Sequence, residues 1–228
     1  MKRVCLALIA LLSAFRLAAQ TDRQLVMKLD DPGKPFTLNV NIGRAAINVS
    51  GYEGKDVIVE ANAEGITATE KNNEVTVLSS NRKAFVRLDI KVPKTMGIFK
   101  LSSLNGGTII VNDVTGNLEL QNKSGGISAF NISGTVIAGT LSGKINVSFK
   151  NVDPGSPMAF STVSGAIDVT FPASLKANLK VKQDNGRVYS DFPLTGDPTD
   201  WRYGKAGGGG PEILIKITTG SIHIYKRE

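Results

Sequence analysis

The chain has 228 residues, 41% of them hydrophobic and 21% charged, with a formal net charge of +7, one cysteine and one histidine. That length suits a single all-β domain, while one histidine excludes a two- or three-histidine metal cage and one cysteine excludes an internal disulfide framework. The 27 lysines and arginines are scattered among acids, asparagines and threonines rather than massed with aromatics, which reads as a solvated surface and against nucleic-acid binding.

Met1-Lys2-Arg3 is followed by an apolar run from Val4 to Phe15 and then by Arg16-Leu17-Ala18-Ala19-Gln20. A basic start, a short apolar run and small residues are the parts of a secretory signal peptide, expected here over residues 1–20. The run is too short for a membrane-spanning helix, which needs about 20 apolar residues. Cys5 would leave with the leader, and it precedes most of the apolar run, whereas a lipoprotein cysteine would follow it. The mature chain, residues 21–228, would carry +4 (24 basic against 20 acidic residues) and have no stable membrane span. It is expected to be secreted, periplasmic or at the bacterial cell surface.

Residues 36–92 read as short strands: FTLNVNI, AINVSG, DVIVEANA, EVTVLSS and FVRLDIKVP. In the last, Val86, Leu88, Ile90 and Val92 share one face, and Pro93 should end the strand because it cannot donate a ladder hydrogen bond. No segment after the leader has a helical period. Residues 21–98 are expected to form early coils and a cap of the structure that follows.

From residue 99 the chain repeats. LSSLNGGTIIV (101–111), LELQNKSGGISAF (118–130), VIAGTLSGKINVSF (136–149), MAFSTVSGAIDVTF (158–171), LKVKQDNGRVYSDF (179–192) and ILIKITTGSIHIYK (213–226) align on Gly107, Gly125, Gly143, Gly165, Gly186 and Gly220. The stretch GTLSGKINV (139–147) has the look of a phosphate-binding loop. However, only three residues separate Gly139 from Gly143, and Ile145 stands where such a loop needs Ser or Thr for Mg²⁺. It is one coil of the repeat.

Repetition at this spacing predicts a single-domain parallel β-helix or β-solenoid of about 18–22 residues per coil, each coil burying its apolar face on the next. Residues two and four after each glycine are mostly apolar and face inward, while those one and three after it, such as Lys144/Asn146 and Arg187/Tyr189, face out. Phe149, Phe171 and Phe192, six after their glycines, should stack as an internal column. Gly116 and Gly134 halve the 18-residue units, implying two short strands and two turns per coil.

VRLDIKVPK (86–94), the SGxIxV units Ser142–Val147 and Ser164–Val169, and the ending GGGGPEILIKITTGSIHIYK (207–226) resemble the bacterial "putative adhesin" domains of unknown function. The resemblance spans residues 36–226 and implies a secreted, parallel β-helix-like protein in the envelope. The insert NVDPGSP (151–157) departs from the pattern and should bulge from the stack.

Parallel β-helices also include polysaccharide lyases and hydrolases, which need paired carboxylates or a carboxylate–cation cluster. Asp168 and Asp191 lie on outward columns, and consecutive stacking would place them one coil apart. The isolated Asp113, Asp153, Asp168 and Asp184 make no calcium-loop pattern, and His223 reads as a surface histidine. No cofactor, metal or catalytic residue is assigned. TGDPTDWRYGKAGGGGP (195–211) is the distinctive non-repeating stretch, in which Trp201, Arg202 and Tyr203 could contact a glycan or an envelope protein, or Trp201 could cover the end of the stack. The expected function is a non-catalytic, adhesin-like binding or scaffold module, with oligomerisation open; the alternative is a polysaccharide-active enzyme.

Overall fold

The structure, a computed structural model, describes residues 23–153 and 155–227. The expected leader, with Cys5, lies outside the described residues. The described chain is all β and contains no helix. Its strands are β1 Arg23–Met27, β2 Phe36–Ile42, β3 Ala45–Tyr52, β4 Val57–Ala61, β5 Ile66–Lys71, β6 Glu74–Ser79, β7 Val86–Pro93 and β8 Gly97–Ser103. These are followed by β9 Ile109–Asn112, β10 Thr115–Ser124, β11 Ile127–Ser142, β12 Ile145–Val152, β13 Met158–Pro172, β14 Ala177–Ser190, β15 Arg202–Ala206 and β16 Glu212–Arg227.

The strands wind into a flattened solenoid with two faces. Across the first run β1, β4, β7, β3, β9, the start of β11, β12, and the ends of β13, β16 and β14. Across the second run β5, β6, β2, β8, β10, the rest of β11, the starts of β13, β16 and β14, and finally β15. Strands β13, β14 and β16 each pass from the second face to the first at a glycine.

These corners explain the sequence repeat. Gly125, Gly143, Gly165, Gly220 and Gly186 hold φ of 139°, 150°, 147°, 133° and 145°, a region that side chains rarely enter. A Cβ on each would also strike the carbonyl oxygen of the glycine in the neighbouring coil, Gly107, Gly125, Gly143, Gly165 and Gly220 in turn. A buried polar residue three positions earlier completes several corners. The Asn122 amide donates to the Gly107 carbonyl (3.1 Å), Thr140 to Gly125 (3.2 Å) and Thr162 to Gly143 (3.4 Å). Turn carbonyls that would otherwise be buried without partners are thus satisfied, each bond being worth about 1 kcal/mol net.

Between the faces lies one continuous apolar core. The expected phenylalanine column is present: Phe149 stacks on Phe171 at 5.3 Å and 9°, and Phe171 meets Phe192 edge-on at 6.4 Å. Phe160 reaches across from the second face to both Phe149 and Phe171, at 6.5 Å.

The solenoid departs from uniform parallel stacking at its ends. The body is parallel, but β1–β4, β4–β7, β5–β6 and β14–β15 are antiparallel. Short antiparallel strands close the stack's open ends without the long crossover that a parallel neighbour requires. Spatial order also departs from chain order. The β6–β7 coil lies outside β2–β3, and β16 inserts between β13 and β14. Strand β16 buries Ile213, Ile215, Ile217, Ile222 and Ile224 and so gains from a neighbour on each side, whereas β14 beyond Gly186 offers only the half-buried Val188 to the core.

Gly165→Ala should therefore lose at least about 2 kcal/mol of unfolding free energy in urea titration. Gly139→Ala is the control: Gly139 has no positive φ, and its added Cβ would meet only the movable end of Gln121, so a change within about 1 kcal/mol is expected.

Candidate functional site

Strand parity sends alternate side chains of each coil to solvent, and the inserted β16 decides which of them meet. On the first face Asn146, Asp168, His223 and Tyr189 form one outward row across β12, β13, β16 and β14. Asp168 is largely buried there; its Oδ2 lies 2.5 Å from Lys144 Nζ and its Oδ1 lies 2.7 Å from His223 Nδ1. The His223 ring is parallel to Tyr189 (5.1 Å, 8°) and to Tyr225 (6.0 Å, 9°). Burial pushes the Asp168 carboxyl up, but the hydrogen bonds from Lys144 and His223, reinforced by their charges, outweigh it and hold the group below its ordinary value of 3.8.

This row spans four strands, with Asp168 held by Lys144 and His223 and the His223 ring stacked on Tyr189. Asp191 does not join Asp168. Strand β16 separates them, which puts the two strands about 10 Å apart, and the Asp191 carboxylate accepts the Lys226 backbone N–H at 2.9 Å. The one-coil separation expected from consecutive stacking is therefore corrected to two. His223 is a surface residue, but one whose Nδ1 is held by the partly buried Asp168 carboxylate.

The second face carries the sequence-predicted trio at its C-terminal end. Tyr203 lies opposite Lys180 and is half exposed, and the Lys180 and Lys182 ammonium groups sit 4.8 and 5.6 Å from the centroid of the Trp201 ring. Lys182 also reaches Asp200 at 3.5 Å. Arg202 lies opposite the buried Val181 and so takes the other side of the strand, apart from Trp201 and Tyr203. The free edge of β14 is covered from Ala177 to Val181 by β15, the strand that begins just after Trp201. Beside Tyr203 is a hollow of about 610 Å³ bordered by Leu179, Pro193, Thr195 and Lys205.

Lys180, Lys182 and Lys216 were not singled out by sequence, although a signal was present. Lys182 and Lys216 stand four residues before Gly186 and Gly220, in one column of the repeat. Only their pairing in space gives the column meaning.

The profile of one protein family, described as Toastrack DUF4097, matches residues 95–225. The chain belongs to the Toastrack DUF4097 family. Among solved structures, one described as a "putative cell adhesion protein" from Clostridium sporogenes is 16% identical, covers 90% of this chain and 100% of its own, and superposes with a TM-score of 0.51. A "putative adhesin" from Bacteroides fragilis is 13% identical, with 90% and 98% coverage and a TM-score of 0.33. A "putative lipid binding protein" from Parabacteroides distasonis is 13% identical, with 91% and 97% coverage and a TM-score of 0.39. The first of these shows a shared fold. No curated protein sequence matches the chain. The matched segment of this Toastrack domain contains the corner glycines from Gly107 to Gly220.

The lowered Asp168 value fixes a pH dependence. Its contribution to stability is complete above the unfolded value and is lost as pH falls through the folded one. Asp168→Asn should cost about 1 kcal/mol at pH 7, and the gap to wild type should narrow as the pH is taken below 3.8, as read from urea titrations on either side of that value.

Proposed function

We propose that the protein is a secreted or envelope-associated, non-catalytic binding or scaffold module, which engages a glycan or envelope protein through the outer surface near Trp201 and Tyr203. The observation that carries this reading is the aromatic and cationic cluster at one end of the stack, in which the half-exposed Tyr203 stands beside the partly buried Trp201, Lys180 and Lys182. Amphipathic aromatic side chains dominate binding hot spots, and here they need no ordering on binding because the strands beneath are already fixed. Family membership and a fold shared with a "putative cell adhesion protein" are compatible with such a role. So is the amino-terminal segment, whose pattern is that of a signal for secretion. Among the described residues no helix is long and apolar enough to cross a membrane.

The catalytic alternative has less support. Two strand spacings separate Asp168 from Asp191, Asp191 accepts the Lys226 backbone N–H, and Asp168 is held by Lys144 and the Nδ1 of His223.

Purified residues 21–228 applied to a glycan array, beside Trp201→Ala of equal melting temperature, test the reading. Saturable binding that falls at least tenfold in the variant is expected. Retention of full binding by Trp201→Ala would remove this surface as the site, and turnover of a bound glycan would overturn the non-catalytic reading.

A further inference from the structure

Across the second face, one outward row runs parallel to the stack axis: Ser102, Gln121, Gly139, Ser161, Lys216 and Lys182, on β8, β10, β11, β13, β16 and β14. Five strand spacings make it about 24 Å long. Apolar side chains border it and stand well exposed: Ile137 on one side, and Leu104, Leu141 and Val163 on the other. Where the floor is lowest, around Gly139, the depression measures about 310 Å³ and is lined by Ser102, Gln121, Ser161, Leu104 and Leu141. The result is a trough with a polar floor and apolar walls, leading to the lysines and aromatic rings at the C-terminal end.

Two features are not explained by folding. Gly139 lies in mid-strand without a positive φ, and a Cβ there would meet only the end of Gln121. No turn or close backbone approach requires glycine at this position, and glycine weakens a strand; what it provides is clearance above the floor. In addition, Lys182 and Lys216 are directly opposite one another, a like-charge pairing that disfavours the sheet. Asp200 lies within reach of Lys182, whereas among the described residues Lys216 has no ion pair.

The geometry points to a binding trough for a linear acidic polysaccharide. The chain would lie along the stack axis with its sugar faces against Ile137, Leu141 and Val163 and its hydroxyls on Ser102, Gln121 and Ser161. A carboxylate or sulfate would sit between Lys182 and Lys216, and a terminal ring would lie beside Trp201. The length of the row calls for a polymer, and Lys216, set against Lys182 and without an ion pair among the described residues, calls for an acidic one. A lipid tail would need an enclosed apolar cavity, whereas this trough is open with a polar floor. This inference rests on the binding-module reading and gives its ligand a chemical class and a direction.

The test is isothermal titration of residues 21–228 with linear uronic-acid and sulfated hexasaccharides, each beside its neutral counterpart, and with vesicles of anionic phospholipid. Gly139→Leu and, as an independent block, Ser161→Tyr should each weaken binding of the acidic sugars at least tenfold. The Lys182→Gln/Lys216→Gln double variant should abolish their advantage over the neutral ones. Thermal melts check that each variant remains folded. If sugars bind in a Trp201-dependent way but Gly139→Leu and Ser161→Tyr bind normally, the trough is overturned while the binding-module reading stands. Neutral sugars binding as well as acidic ones would overturn the acidic class. Vesicle binding that depends on Gly139 would replace the sugar with a lipid surface. No binding to any sugar would overturn the trough and remove glycans from the broader reading.

Discussion

At Gly125, Gly143, Gly165, Gly186 and Gly220 the chain turns with the glycine α-carbon against the carbonyl oxygen of the glycine in the neighbouring coil, and the body of the stack depends on that contact. It requires a residue without Cβ and with positive φ at the same point of successive coils, and it sets the strands in register across the stack. A one-residue slip in any coil would place a side chain in the contact and turn every inward residue outward. The Asn122, Thr140 and Thr162 side chains add a second condition, because each satisfies a glycine carbonyl that the contact encloses. The repeat seen in the sequence is this corner written several times over.

With the register held by the corners, the outward columns are free to differ. On the first face, Lys144, Asp168, His223 and Tyr189 bridge the four strands around the inserted β16, which is joined to its neighbours by side chains as well as by the backbone ladder. On the second face, the column four residues before each corner glycine carries small and polar groups through the body and lysines at the end. One scaffold thus presents a self-paired surface on one side and, on the other, a cationic and aromatic surface whose Lys216 has no ion pair among the described residues.

The ends follow from the same constraint. A solenoid of parallel strands leaves an open ladder at each end, and the chain closes both with short antiparallel strands, β1, β4 and β5 at one and β15 at the other. Closing the C-terminal end with β15 places Trp201 and Tyr203 on the outer surface beside Lys180 and Lys182, while the strand's own alternation sends Arg202 away from them.

By itself the sequence determined the all-β class, the corner glycines, the inward columns with Phe149, Phe171 and Phe192, and the strand end at Pro93. These are local matters of backbone conformation and two-residue alternation, visible wherever the repeat is aligned. It also marked Trp201 and Tyr203 as out of pattern. Only the tertiary structure decided which coil lies next to which. The spacing of Gly165, Gly186 and Gly220 is compatible with consecutive stacking, and the choice of β16 over β14 as neighbour to β13 is set by how much apolar surface each strand buries, a quantity that depends on all its neighbours at once. That choice brings His223 to Asp168, separates Asp168 from Asp191 and sets Lys182 against Lys216. Side-chain meetings of this kind are non-local, and no periodicity along a single chain encodes them.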